Sequence, residues 1–307
     1  MTPRTPRTPF ALLLAGTLLL ALAGCAPGGE DRPSVVVTTN ILGDITREIA
    51  GDEAEVTVLM RPGADPHSFG VSAQDAARIE RADLVVHNGL GLEENVLRHV
   101  DAAREAGVPV LAVGEAVDPV DYRSDAMAGQ PDPHFWTDPH RVRKAAGLIA
   151  DRIAEHADGV DTAAIRANAD GYDRELADLA HWMGETFDAI PADKRALVTN
   201  HHVFGYLAQR YGFRVVGAVI PSGTTLASPS ASDLKSLATA VEKAGVRAVF
   251  ADSSQPDRLA RVLKSESGVD VEIVPLFSES LTDARGGAPT YLAMMRANTT
   301  AIADGLT

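Results

Sequence analysis

Apolar and polar positions alternate along most of the chain in blocks of two kinds. Short apolar runs read as buried strands, and between them lie longer stretches whose apolar residues recur every three or four positions, which read as helices. In the first half the pattern predicts strands at Val35–Thr39, Glu55–Met60, Leu84–His87 and Val108–Val113, with helices at Ile41–Ala50, Ala73–Arg81 and Glu93–Ala106. A polar stretch, Asp118–Pro133, breaks the rhythm, and a helix is expected from about Asp138 to His156. After Pro191 the alternation resumes, with strands at Ala196–Thr199, Arg214–Val219, Arg247–Ala251 and Val271–Phe277. Helices at Val203–Tyr211, Asp233–Ala244, Pro256–Lys264 and Thr290–Ala303 lie between and after them. Strands that alternate with crossover helices build parallel sheets.

One segment differs. Ile165, Ala169, Tyr172, Leu176, Leu179, Met183 and Phe187 fall at spacings of three and four and draw one apolar stripe on a single helix from Asp161 to Ala189, closed by Pro191. At about 1.5 Å per residue such a helix runs about 40 Å, enough to lie across two domains. The expected fold is therefore α/β: two lobes with central parallel sheets, residues 34–160 and 191–307, joined by one long helix at residues 161–190.

The N-terminus changes the picture of where the chain works. Arg4 and Arg7 precede the apolar run Phe10–Leu22, the length of a signal-peptide core and short for a membrane span. It ends in Leu22-Ala23-Gly24-Cys25, which resembles the bacterial lipobox, so residues 1–24 are expected to be a lipoprotein signal peptide, Cys25 the lipidated residue and residues 25–33 a solvated tether. Cys25 is the only cysteine, which excludes a disulfide within the chain and any multi-thiolate metal site. The 307 residues carry a formal charge of −14, nearer −16 once the two arginines of the first 24 residues are set aside. So acidic a chain is a poor partner for nucleic acid or for anionic lipid head groups.

Ligands of open parallel sheets bind beyond the carboxyl ends of the strands. At those places the sequence sets His67, in Asp-Pro-His after the strand ending at Met60; His134, in Asp-Pro-His-Phe-Trp-Thr-Asp-Pro; His201 and His202, after the strand ending at Thr199; and Glu279, after the strand ending at Phe277. A lone loop histidine is usually a surface or capping residue, and Asp-Pro is ordinary turn chemistry. Convergence of four loops, two from each lobe, on one edge is what points to a metal: three imidazoles and one carboxylate suit a closed tetrahedral zinc site. His87 is expected to be structural, and His99, His140, His156 and His181 solvated.

The chain resembles the zinc- and manganese-binding solute-binding lipoproteins of ABC importers, the cluster A-I or TroA-like family. The likeness rests on the lipobox, Asp65-Pro66-His67, Asn88-Gly89-Leu90-Gly91-Leu92-Glu93, Asp132–Pro139, the long helix, His201-His202-Val203-Phe204-Gly205-Tyr206 and Phe277-Ser278-Glu279-Ser280-Leu281. It implies His67, His134, His201 and Glu279 as metal ligands, with Glu279 standing where the family usually has aspartate. His201 is preferred to His202 because it lies three residues before Phe204, as the family ligand does. The resemblance further implies an extracytoplasmic protein, a monomer held to the cell membrane by its lipid, with a cognate ABC permease as partner and a metallochaperone as a possible loading partner. Zinc is expected before manganese, because manganese members usually carry glutamate in place of the third histidine. Asp118–Pro133 holds no histidine, unlike the histidine-rich loop of many zinc members. A secreted zinc hydrolase would need an open coordination position and a general base, and an adhesin would need repeats or a stalk; the sequence supplies neither. Were Glu279 removed, a water or a neighbouring carboxylate such as Asp283 is expected to fill its oxygen position.

Overall fold

The computed structural model describes residues 32–123, 127–254, 258–266 and 271–307; Cys25 and the leader before it lie outside them. In chain order the first lobe contains β1 (Ser34–Val37), α1 (Asn40–Ala50), β2 (Glu55–Val58), α2 (Ala73–Ile79), β3 (Leu84–His87), α3 (Glu94–Glu105), β4 (Val110–Ala112), α4 (Val113–Ala116) and α5 (Pro139–His156). The long helix α6 (Thr162–Asp188) follows. The second lobe contains β5 (Ala196–Thr199), α7 (Gly205–Tyr211), β6 (Arg214–Ala218), α8 (Ala231–Ala244), β7 (Ala248–Asp252), α9 (Arg258–Glu266), β8 (Glu272–Leu276) and α10 (Tyr291–Leu306).

Each lobe holds a four-stranded sheet with every pairing parallel, in the order β2-β1-β3-β4 and β6-β5-β7-β8. The inner strands are the continuous apolar runs, Val35-Val36-Val37, Leu84-Val85-Val86, Ala196-Leu197-Val198 and Ala248-Val249-Phe250-Ala251, because a strand covered by helices on both faces has no solvent side. The edge strand β2 begins exposed at Glu55. The expected strands are present, with ends shifted by one or two residues, and α4 was not foreseen: its four residues are too few to show a helical period.

Helix limits follow local chemistry. Ser72 with Asp75 and Ser230 with Asp233 form reciprocal capping boxes at the starts of α2 and α8. Asp138 caps α5 ahead of Pro139, and Asp161 accepts the Ala163 and Ala164 N–H groups at the head of α6. Gly212 and Gly245 close α7 and α8 in the left-handed conformation.

The stripe on α6 does what its period implies. Ile165, Tyr172, Leu176, Leu179, Met183 and Phe187 are buried, with Ala169 partly so. Along its length α6 packs on α1 and α5 of the first lobe and on α7 and α10 of the second. One continuous apolar cluster consequently runs from Val35 and Ile45 through α6 to Phe250 and Met294, while smaller clusters fill the outer side of each sheet. Residues 33–307 form one compact unit. No described helix is long and apolar enough to cross a membrane.

A polar bond also ties α1 to α10: Asp44 accepts the Tyr291 N–H at 2.7 Å. Burial, with Glu48 nearby, raises the Asp44 carboxyl from 3.8 to about 6. A carboxyl raised in the folded state costs stability once ionised, so this group's penalty is absent below its unfolded value, grows as pH climbs to about 6 and persists above. Asp44→Asn keeps an acceptor for Tyr291 and removes the charge. It is expected to stabilise the fold by up to about 3 kcal/mol at pH 7.5 and by almost nothing at pH 4, as read by denaturant unfolding at the two pH values; a loss of stability at pH 7.5 would contradict this account.

Candidate metal centre

In both sheets the strand order reverses beside the first strand, between β1 and β3 and between β5 and β7. The structure brings His67, His134, His201 and Glu279 together from four loops, those after β2, α4, β5 and β8, with one ligand atom of each within 4.8 Å of all the others. The Glu279 carboxylate faces the three rings with both oxygens: Oε1 lies 3.1 Å from His201 Nε2 and 3.5 Å from His134 Nε2, and Oε2 lies 3.7 Å from His67 Nε2. His67 and His134 approach through their Nε2 atoms at 3.5 Å. The rings are tilted or edge-on to one another, with centroids 5.3–5.5 Å apart. For bonds of about 2.0–2.1 Å to a common centre, the edges of a tetrahedron are about 3.3 Å, so these separations suit four donors around one ion.

All four side chains are buried, His134 and His201 completely. Burial, followed by the neighbouring imidazoles, pushes His67 far below its ordinary pKa, and burial does the same to His134. The rings are thus neutral at physiological pH and offer lone pairs. Burial raises Glu279 well above the usual carboxylate range, and the charges of Asp252, Asp65 and Asp132 add to the effect. Neither Glu279 oxygen accepts a hydrogen bond from a described residue. A buried carboxylate without donors is stabilised by a cation.

The two Asp-Pro-His segments fold alike. Asp65 Oδ1 accepts the His67 N–H at 3.0 Å, and Asp132 Oδ1 accepts the His134 N–H at 2.9 Å, so the proline turns deliver each histidine from an Asx turn. Asp132 does more: the same oxygen lies 2.7 Å from His134 Nδ1. A proton on Nδ1 donated to that carboxylate leaves Nε2 bare toward Glu279. The Thr225 hydroxyl donates to Asp65 across the lobes at 2.6 Å. Asn40 donates to the Ser280 hydroxyl at 2.7 Å and accepts the Leu281 N–H at 3.0 Å, stitching the first lobe to the loop that carries Glu279.

His202 stands outside the cluster, buried, its N–H donating to the Ser222 carbonyl and its ring 6.4 Å from that of Tyr122. It lines a cavity of about 460 Å³ with Tyr122, Asp132, Phe204 and Arg214. His87 is buried at the end of β3, and burial lowers it to about 4. One expectation needs correction. Asp283 is exposed and turned onto the Arg285 N–H, so it cannot stand in for Glu279; the carboxylates packed about the site are Asp65, Asp132 and Asp252. Among the described residues of the polar stretch, Asp121 bridges Pro131, Tyr122 exchanges backbone bonds with Gly129 and Gln130, and its ring is buried against the site, with the hydroxyl 3.3 Å from His134 Nδ1. Sequence reading also missed Glu93, which is buried and accepts from the Thr38 hydroxyl and from the Asn88 and Gly89 N–H groups, closing the turn after β3. The acid at the end of Asn-Gly-Leu-Gly-Leu-Glu was its only signal.

A model of the family described as zinc-uptake complex component A, periplasmic, matches residues 35–305. The manganese-binding lipoprotein MntA of Halalkalibacterium halodurans is 30% identical over 97% of this chain and 98% of its own. The zinc-binding protein TroA of Treponema pallidum is 29% identical over 90% of each chain. Its solved structure superposes with a TM-score of 0.83 at 28% identity, covering 90% of this chain and 99% of that one. A manganese-bound periplasmic metal-binding protein from Candidatus Liberibacter asiaticus gives a TM-score of 0.80 at 27% identity, covering 90% of this chain and all of its own.

If Asp132 fixes the tautomer and orientation of His134, Asp132→Asn is expected to weaken metal binding by about tenfold or more while leaving thermal unfolding nearly unchanged. Competitive titration against a chromophoric chelator measures the first and calorimetry the second; equal affinity in the variant would show that the contact is incidental.

Proposed function

The chain belongs to the zinc-uptake complex component A family, and from that premise we propose that it is an extracytoplasmic solute-binding protein that captures one zinc ion on His67, His134, His201 and Glu279. Tethered to the membrane by a lipid on Cys25, it hands the ion to a cognate ABC permease. The observation that carries this reading is the closed set of three neutral imidazole nitrogens and one carboxylate, buried and turned inward with no other partner for the carboxylate among the described residues. The ion is cargo, and no reaction is required of the site: four protein donors complete a tetrahedron and leave no position for an activated water.

The choice of zinc rests on donor chemistry. Relatives of nearly equal identity are named for manganese, for zinc and, in Yersinia pestis YfeA, for iron, so overall likeness does not choose among metals. Three imidazoles with one carboxylate favour zinc; manganese favours a shell richer in oxygen. The manganese reading keeps one observation in its favour, the buried carboxylates Asp65, Asp132 and Asp252 around the donors, but Asp65 and Asp132 are engaged by backbone N–H groups of the ligand loops.

The soluble form is expected to bind one equivalent of zinc and to hold it against excess manganese in competitive titration. Alanine at His67, His134, His201 or Glu279 should each cost at least about a hundredfold in zinc affinity, while His202→Ala changes it little. Preference for manganese in the unaltered protein would overturn the zinc assignment, and full affinity in His201→Ala would remove that residue from the ligand set. Cys25→Ser is expected to abolish fatty-acid labelling of the full chain in cells without altering zinc binding by the soluble form; undiminished labelling would refute the anchor.

A further inference from the structure

The backbone that carries Glu279 is fastened at each polar group leading up to it. Asn298 of α10 accepts the Phe277 N–H at 2.8 Å and donates its amide to the Phe277 carbonyl at 3.0 Å. The Trp136 indole donates to the Ser278 carbonyl at 2.9 Å. The two N–H groups that remain, those of Ser278 and Glu279, both donate to Oδ2 of Asp252, each at 3.1 Å, and the Ser278 hydroxyl donates to the same oxygen. Asp252 is the last residue of β7 and is 3% exposed. Its other oxygen accepts the Ser254 N–H at 2.8 Å and the Ser254 hydroxyl. It is therefore a short, fixed post on an inner strand, against which the loop after β8 is pulled.

Resting on the reading of this cluster as a metal site, we infer that Asp252 is the positioning residue for the fourth donor, and that its length is matched to that of Glu279. With the backbone of residues 278 and 279 drawn to a side chain of only one methylene, the Glu279 Cα is held back toward β7. A ligand of two methylenes then spans the remaining distance to the three imidazoles. Aspartate at position 279 would fall short of them on the same backbone, whereas glutamate at position 252 would push the loop forward and crowd Glu279. Each side chain alone is the wrong length for the other's replacement; the pair is the unit that sets where the carboxylate meets the ion, and with it the fit for a small tetrahedral cation.

The test is a double-mutant cycle on the soluble protein with Glu279→Asp, Asp252→Glu and the double variant. Zinc and manganese affinities are read by competitive titration, and the visible spectrum of the cobalt-loaded protein reports coordination number. Each single variant is expected to lose about tenfold or more in zinc affinity and to shift the cobalt spectrum. The double variant should return to within a few-fold of the unaltered protein, with its spectrum and its zinc-over-manganese ratio. Losses that simply add, with a spectrum that does not return, overturn the length matching while leaving zinc binding by the unaltered protein intact. Failure of the unaltered protein to bind zinc at all would instead strike the proposed function, and this inference with it. Should Asp252→Glu prevent folding, Ser278→Ala loosens the same clamp. It is expected to shrink the difference in zinc affinity between glutamate and aspartate at position 279, and an unchanged difference would overturn the inference.

Discussion

A carboxylate buried among three neutral imidazoles, with no hydrogen-bond donor of its own among the described residues, is the constraint to which the rest of the molecule answers. Such an arrangement costs free energy in the absence of a cation: the rings resist protonation because they are dry, and the carboxylate resists ionisation for the same reason. Neither can relieve the other by proton transfer without placing a charged pair in the same desolvated space. A divalent ion relieves both at once. The site is in this sense preorganised, and the stability that keeps it so must come from the surrounding fold.

Two features supply that stability. The first is the long helix α6, whose stripe belongs to the same apolar cluster as the inner faces of both sheets. Because the core is continuous, the lobes cannot separate widely without exposing it, and the loops that carry the donors remain opposed. The loop Ser222–Pro229 is tied to the other lobe, where Thr225 donates to Asp65. The second is a set of aspartates that do not face the centre but hold the residues that do. Asp65 and Asp132 build the turns that present His67 and His134, and Asp252 gathers the backbone before Glu279.

The same organisation accounts for how a family can share a fold while its members are named for different metals. The helical strut and the two sheets hold four loops opposed, and the side chains those loops carry can differ without disturbing that frame.

Much of this was written into the sequence. The α/β alternation and the seven-residue stripe of the connecting helix follow from local rules: a strand buried on both faces must be uniformly apolar, and a helix crossing two lobes must show one long period. The sequence marked His67 and His134 by their Asp-Pro turns, but it could not separate His201 from His202 without resemblance to a family, because adjacent residues in a loop carry no periodicity to orient them. Tertiary structure alone decided that His201 turns inward and His202 does not, that Asp283 points away, and that Tyr122 folds back onto the site from a stretch that reads as an open loop. It also revealed Asp252 and Glu93, whose partners lie on other loops. Periodicity reports which face of an element is buried; which side chains meet beyond the ends of those elements depends on how loops from distant parts of the chain pack together, and that is a property of the folded molecule.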